Sequence, residues 1–122
     1  MQNKEAWKLY QRYVDGWKPI SAEERKTLVA EVVAEDAKYI TPQHVIGGRE
    51  TMIEDMAAFQ GKYPGGRFDV GDVSAHHDVA LFTWVLVQAD ESVLVKGHDL
   101  IRISAEGKIA ELITFAPSTS EP

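Results

Sequence analysis

The first part of the chain carries hydrophobic residues at helical spacing. Between Asn3 and Trp17, apolar residues recur every three or four positions, which predicts a helix with one buried face. The residues of that face, most of them aromatic, are Ala6, Trp7, Tyr10, Tyr13, Val14 and Trp17. Gly16 and Pro19 are expected to end the helix.

Two more helices are predicted before the pattern changes. Ser21-Ala22-Glu23-Glu24 is a capping box, in which Ser21 and Glu24 satisfy each other's free backbone N–H groups. The buried stripe of this second helix is predicted to be Leu28, Val29, Val32 and Val33. A third helix is predicted to follow Gly47-Gly48, with an apolar face made of Met52, Ile53, Met56, Phe59 and Tyr63.

After Pro64-Gly65-Gly66 the hydrophobic period changes to two, which is typical of strands. Strands are predicted near residues 68–73, with a bulge at Gly71, and at residues 79–87, 93–104 and 109–115. Gly107 is predicted to occupy a left-handed position in the last turn. Helices followed by an antiparallel meander indicate one α+β domain, residues 1–122, with the helices packed on one face of the sheet.

The strand VLVKGHDLIRI, from Val93 to Ile103, places a carboxylate on its apolar face. If the turn near Asp90 pairs residues whose numbers sum to about 181, Asp99 lies opposite Phe82 and Gly97 lies opposite Trp84. In this register the large side chains of Phe82 and Trp84 lie opposite the smaller residues Asp99 and Gly97. We therefore predict that Asp99 lies among apolar side chains, where burial would raise its pKa.

Two interpretations of Asp99 are open. In the first, Asp99 is structural and accepts hydrogen bonds that orient the core, as most buried polar groups do. Alternatively, it is a pocket acid that donates a hydrogen bond to a developing oxyanion or exchanges protons with a ligand. The turn histidines His76 and His77 would then be candidates for the mouth of the pocket.

Composition excludes several other kinds of function. A formal net charge of −6, with lysine and arginine scattered along the chain, argues against nucleic-acid binding. The absence of cysteine excludes disulfides and thiolate chemistry, and no histidine pair has the helical spacing of a zinc motif, so we expect no metal. No stretch approaches the roughly 18 apolar residues of a membrane span, and we expect a cytoplasmic protein.

The opposite face of the predicted sheet is more apolar than a solvated face usually is. Its apolar members are Val79, Leu81, Val85, Leu94 and Leu100. Surfaces of this kind commonly pair with a second copy of the same chain, so we expect a homodimer through the outer sheet face.

Several local motifs, taken in order, resemble the nuclear transport factor 2-like superfamily and its SnoaL-like and ketosteroid-isomerase-like branch. They cover nearly the whole chain: DAKYITP at 36–42, Gly47-Gly48, Pro64-Gly65, HHDVALFTW at 76–84, KGHD at 96–99 and GKIAELITF at 107–115. The resemblance implies a cone-shaped domain, in which a curved antiparallel sheet wraps around N-terminal helices and encloses an apolar pocket. We expect no cofactor, because acid–base chemistry in such a pocket needs only positioned side chains.

The resemblance also suggests roles for individual residues. Gln11-Arg12-Tyr13 is similar to the isomerase segment whose tyrosine donates to the substrate oxyanion, and Asp99 falls where that enzyme keeps its second oxyanion donor. The position that supplies the isomerase base is Thr41 here, before Pro42. Threonine is not a general base near neutral pH, so classical steroid isomerisation is not expected.

The leading hypothesis is therefore a protein that binds a small hydrophobic, carbonyl-bearing molecule and performs proton-transfer chemistry of the isomerase, cyclase or dehydratase type. Asp99, Tyr13 and His77 are the candidate catalytic residues. The expected pocket walls are Trp17, Tyr39, Met56, Phe59, Phe82, Trp84 and Ile101. The alternative is a non-catalytic ligand-binding or dimerisation module in which Asp99 is structural.

Overall fold

The computed structural model describes residues 1–121 and contains the three predicted helices. Helix α1 spans Asn3–Val14 and continues into a 3-10 turn at Asp15–Trp17, α2 spans Ala22–Val32, and α3 spans Arg49–Lys62. The capping box is present: the Ser21 hydroxyl accepts a 3.1 Å hydrogen bond from the Glu24 amide, and the Glu24 carboxylate accepts one of 3.2 Å from the Ser21 amide. No helix in residues 1–121 is long and apolar enough to span a membrane.

Six strands form one curved, unclosed sheet with the order β2-β1-β6-β5-β4-β3. Their bounds are β1 Val33–Thr41, β2 His44–Gly47, β3 Arg67–His76, β4 Val79–Val87, β5 Val93–Ile103 and β6 Ile109–Phe115. The sheet is mixed rather than wholly antiparallel, because β1 pairs with β6 in parallel. The other neighbouring pairs are antiparallel, as the meander pattern predicts.

The sequence pattern does not reveal β1 and β2. Val33 fits the apolar stripe of α2, yet its backbone is already extended, and β1 begins without an intervening loop. The apolar period supports either structure at this point, and no glycine or proline separates the two elements. Pro42 does end the strand, as expected, and the chain turns into the short edge strand β2.

The register between β4 and β5 is the predicted one. Trp84 pairs with Gly97 and Phe82 pairs with Asp99. A methyl group at Gly97 would lie only 2.3 Å from the Trp84 ring, so glycine is required for the indole to lie across the strand. The β3–β4 register shifts between Val70 and Val73, which confirms a bulge at Gly71, and Gly107 has the predicted positive φ of 80°.

The core lies between the helices and the concave face of the sheet. Fully buried side chains from all layers meet there, including Tyr10, Val29, Met52, Met56, Phe82, Ile101 and Leu112. Arg25 is also buried, and its guanidinium donates to the carbonyl oxygens of Gly16, Lys18 and Ile20. This side chain fixes the connection between α1 and α2, and thereby the position of the 3-10 turn beside the cavity described below.

Candidate functional site

A cavity of about 470 Å³ opens between the helices and the inner face of the sheet. Pockets of about 300–1,000 Å³ are typical small-molecule sites. The cavity is lined by the C-terminal half of α1, one face of α3, the β1–β2 hairpin and residues of β3 to β6. Its surface is mainly apolar. The polar side chains that line it include Tyr13, Tyr39, His44, Asp55, Asp99 and Thr114.

Aromatic rings form one wall of the cavity. Trp17 meets the edges of Phe59 and Phe68 at centroid distances of 5.7 and 5.3 Å, and Phe68 meets Trp84 at 5.2 Å. These are favourable edge-to-face arrangements, and they restrain the rings that face the ligand space. Small-molecule pockets are commonly lined by aromatic side chains of this kind.

Asp99 lies at the inner end of the cavity and accepts three hydrogen bonds. The Tyr10 hydroxyl donates to Oδ2 at 2.5 Å, while the Trp84 indole and the Thr114 hydroxyl donate to Oδ1 at 3.2 and 2.8 Å. Only 5% of Asp99 is exposed. Burial raises the pKa of Asp99, although the three donors act in the opposite direction by favouring its charged form.

These contacts restrict what Asp99 can do. Both carboxylate oxygens are occupied by protein donors, so a proton on Asp99 has Tyr10 as its nearest acceptor. The ring of Tyr10 is itself fixed by stacking on Phe82, with the centroids 4.0 Å apart. The arrangement ties α1, β4, β5 and β6 together through one buried carboxyl group.

Tyr13 lines the same cavity and lies near two carboxylates. Burial and, after it, the charge of Asp99 raise the pKa of Tyr13 well above its ordinary value, with a smaller contribution from Asp55. The hydroxyl is therefore neutral at physiological pH. Within residues 1–121 no hydrogen bond uses the Tyr13 hydroxyl as donor to a protein acceptor, so its proton is available to a ligand.

A histidine–aspartate pair lies at the mouth of the cavity. The Nε2 atom of His44 is 3.2 Å from both carboxylate oxygens of Asp55, and the Tyr39 hydroxyl donates to Asp55 Oδ2 at 2.8 Å. The His44 and Asp55 side chains are 31% and 33% exposed. The pair is thus open to the cavity and to solvent, while burial raises the pKa of Tyr39 and keeps its phenol neutral.

Local structure holds His44 in place. The Thr41 hydroxyl accepts hydrogen bonds from the amides of Gln43 and His44, at 3.1 and 3.2 Å, and closes the turn between β1 and β2. The imidazole lies beside the Tyr39 ring, with the centroids 5.9 Å apart. Thr41, which cannot act as a base, therefore positions His44, which can.

Six of the predicted site residues line the cavity: Tyr13, Trp17, Tyr39, Phe59, Trp84 and Asp99. Met56, Phe82 and Ile101 do not, because they are fully buried in the core behind the lining residues. His77 lies outside the site. Its carbonyl oxygen accepts from the Met1 amino group, at the N-terminal end of α1, whereas the cavity adjoins the C-terminal end of that helix.

The sequence reasoning missed His44, Asp55 and Thr114. The carboxylate of Asp55 lies four residues before Phe59, on the α3 face that was expected to line the pocket, and that spacing was an available signal. His44 was not detectable in the same way, because no hydrophobic period surrounds it and its partner lies on another element.

Comparisons with known proteins agree with this architecture. The fold matches that of an isomerase candidate of the SnoaL-like family from Agrobacterium tumefaciens strain C58, with 26% identity and a TM-score of 0.84. The match covers 94% of this chain and 99% of that one. A SnoaL-like polyketide cyclase candidate from Jannaschia sp. CCS1 matches with 16% identity and a TM-score of 0.73, over 93% of this chain and 86% of that one.

The polyketide cyclase candidate IdmH from Streptomyces antibioticus has the same fold, with 16% identity and a TM-score of 0.71 over 89% of each chain. No curated protein sequence matches the chain. The model of the SnoaL-like domain family matches residues 10–112, which confirms the resemblance seen in the local motifs. Because that match spans most of the sequence, the protein belongs to the SnoaL-like domain family.

Proposed function

We propose that this protein catalyses proton transfer on a hydrophobic, carbonyl-bearing small molecule, in a reaction of the isomerase, cyclase or dehydratase type. The observation that carries the proposal is the His44–Asp55 hydrogen bond at the mouth of an apolar, aromatic-walled cavity. A base oriented by a carboxylate, beside a mainly apolar cavity, is an arrangement suited to general acid–base catalysis.

The proposed proton transfer depends on which nitrogen of His44 is free to accept a proton. When Nε2–H of His44 donates to Asp55, the neutral imidazole leaves Nδ1 without a proton and able to accept one. Within residues 1–121, Nδ1 of His44 has no hydrogen-bond partner. Nδ1 would remove a proton from the carbon next to the ligand carbonyl, and the C–H electron pair would move to the carbonyl oxygen to give an enolate.

Tyr13 would stabilise that enolate. Its neutral hydroxyl can donate to the developing oxyanion, and desolvation in the cavity strengthens such a hydrogen bond. Return of the proton from His44 to a different carbon would complete an isomerisation. Attack of the enolate carbon on a second carbonyl would instead form a ring, and the new alkoxide would take the proton held by His44. In a β-hydroxy carbonyl compound, the enolate would form the C=C bond as the C–O bond breaks, and the hydroxyl group would take that proton and leave as water.

Asp99 has a structural role in this proposal. Its three protein donors already occupy both oxygens, so it organises Tyr10, Trp84 and Thr114 rather than contacting the ligand. The family relationship supports the general function, because two of the structural relatives are polyketide cyclase candidates and a third is an isomerase candidate.

The proposal predicts that the protein accelerates exchange of carbon-bound protons. Purified protein in D₂O is expected to speed deuterium incorporation next to the carbonyl of hydrophobic ketones such as 2-tetralone and 2-acetylnaphthalene, as measured by NMR. Heat-denatured protein is the control. Ketones that bind, as shown by calorimetry, but exchange no faster than in this control would support the alternative, a non-catalytic binding module.

We also propose that two copies of the chain pair through the outer face of the sheet. Leu81 and Leu94, on neighbouring strands, are 42% and 47% exposed on that face, and Phe115 at the end of β6 is exposed beside them. Arg102, on the same face, is neutralised within the chain by Asp78 of the β3–β4 turn, to which its guanidinium donates at 3.1 Å, so it does not oppose pairing of two apolar faces.

Dimerisation is tested by placing a charge on this face. Leu81→Glu with Leu94→Glu is expected to convert a dimer into a folded monomer, because two carboxylates would be buried without partners. Light scattering coupled to size exclusion at micromolar concentration measures the mass. Val45→Glu, at an apolar position that is 84% exposed on β2, is the matched control. A monomeric unmodified protein would contradict the proposal.

A further inference from the structure

The cavity is asymmetric in charge along α3. The residues of this helix that line it are Asp55, Ala58, Phe59 and Lys62, which follow one another at spacings of three, one and three and so form a single helical stripe. Tyr63, the residue after the helix, lines the cavity as well. Asp55 stands at one end of this stripe and Lys62 at the other. Seven residues of α-helix separate them by about 10 Å along the axis.

Lys62 is exposed, and among residues 1–121 no structural partner explains its position at the cavity. Within residues 1–121 it is the only lysine or arginine that lines the cavity, and it forms no ion pair with a carboxylate. It lies in the last turn of α3, where a cation also stabilises the helix dipole. That effect does not require the residue to face the cavity, so a test has to separate ligand binding from helix stability.

The two ends of the stripe would orient an anionic ligand. A carboxylate placed near Asp55 would be repelled, whereas one placed near Lys62 would be attracted. The ammonium group of Lys62 can donate charge-assisted hydrogen bonds to a carboxylate placed there. Between the ends, Ala58 and Phe59 offer an apolar surface to the body of the ligand.

We propose that Lys62 determines ligand specificity and that the ligand is a hydrophobic carbonyl compound, about two fused rings long, with a carboxylate at the end remote from the reacting carbonyl. This inference rests on the proposed function, because the His44–Asp55 pair locates the carbonyl end. The carboxylate end lies about 10 Å away, at Lys62.

Two matched probes test the inference by calorimetry on the full chain. The first, 6-acetyl-2-naphthoate, carries a ketone and a carboxylate at opposite ends of a naphthalene, and the second, 2-acetylnaphthalene, lacks the carboxylate. Lys62→Gln is expected to weaken binding of the naphthoate about three- to tenfold and that of the neutral ketone less than twofold. The difference should shrink as ionic strength rises, because salt screens exposed charges.

Lys26→Gln, at an exposed lysine of α2 that does not line the cavity, is the control and should change neither affinity. An equal effect of Lys62→Gln on both probes, no effect on either, or failure of both probes to bind the unmodified protein would overturn the inference. Failure of the catalytic proposal is distinguishable, because it would abolish deuterium exchange and leave the Lys62-dependent difference between the probes intact.

Discussion

Replacement of His44 by glutamine is expected to lower the rate of ketone deuterium exchange by about 100-fold or more, which is the usual contribution of a positioned general base. Glutamine preserves much of the size and a hydrogen-bonding group toward Asp55 but cannot accept the carbon-bound proton. The ligand affinity should change little, since the aromatic wall that holds the ligand is untouched. Exchange is measured by NMR and affinity by calorimetry on the same preparation.

Two further variants identify the cause of the loss. Asp55→Asn should reduce exchange in the same direction but less severely, because the imidazole stays in place while its orienting charge is removed. His76→Gln, at an exposed histidine of the β3–β4 hairpin, should leave exchange unchanged. If His44→Gln binds the ketone and exchanges its protons at the original rate, His44 is not the base.

The parts of the fold that could be predicted are those governed by local pattern. The capping box at Ser21, the change of period after Gly66 and the glycine opposite Trp84 are short-range signals, and each corresponds to the observed structure. The parallel pairing of β1 with β6 is different. It joins residues about 70 positions apart along the chain, such as Tyr39 and Leu112, and no local pattern specifies that partner.

The candidate site was predicted unevenly for a related reason. Asp99 could be located because a carboxylate interrupts an apolar strand face, and its burial follows from strand alternation alone. His44 has no such signal, since it is an ordinary polar residue on its own element. Asp55 shares a helix face with Phe59, but its pairing with His44 exists only after α3 packs against the β1–β2 hairpin. The alternation of side chains along a strand likewise identifies which residues point inward. It does not distinguish residues that line the cavity, such as Trp84, from residues that are fully buried in the core, such as Phe82.

Substitution of Asp99 by alanine is expected to destabilise the protein by about 3–5 kcal/mol, because it leaves the Tyr10, Trp84 and Thr114 donors without their buried acceptor. Asp99→Asn should cost less, since the amide oxygen still accepts and the Tyr10 hydroxyl can turn to accept from the amide nitrogen. The free energy of unfolding in urea measures both. A loss below about 1 kcal/mol for the alanine variant would show that the cluster contributes little.

The pH dependence of the asparagine variant tests the ionisation of this carboxyl group. Because the pKa of Asp99 is raised in the folded state, chiefly by burial, folding favours its protonated form. The stability that Asp99 contributes is therefore fully present below the pKa of the unfolded chain, about 4, and decreases as pH rises through the higher folded-state value. Asparagine does not titrate, so the free energy of unfolding of the unmodified protein, minus that of Asp99→Asn, should fall as pH rises from about 4. A difference that grows over this interval would mean that the three donors outweigh burial and hold Asp99 as a carboxylate.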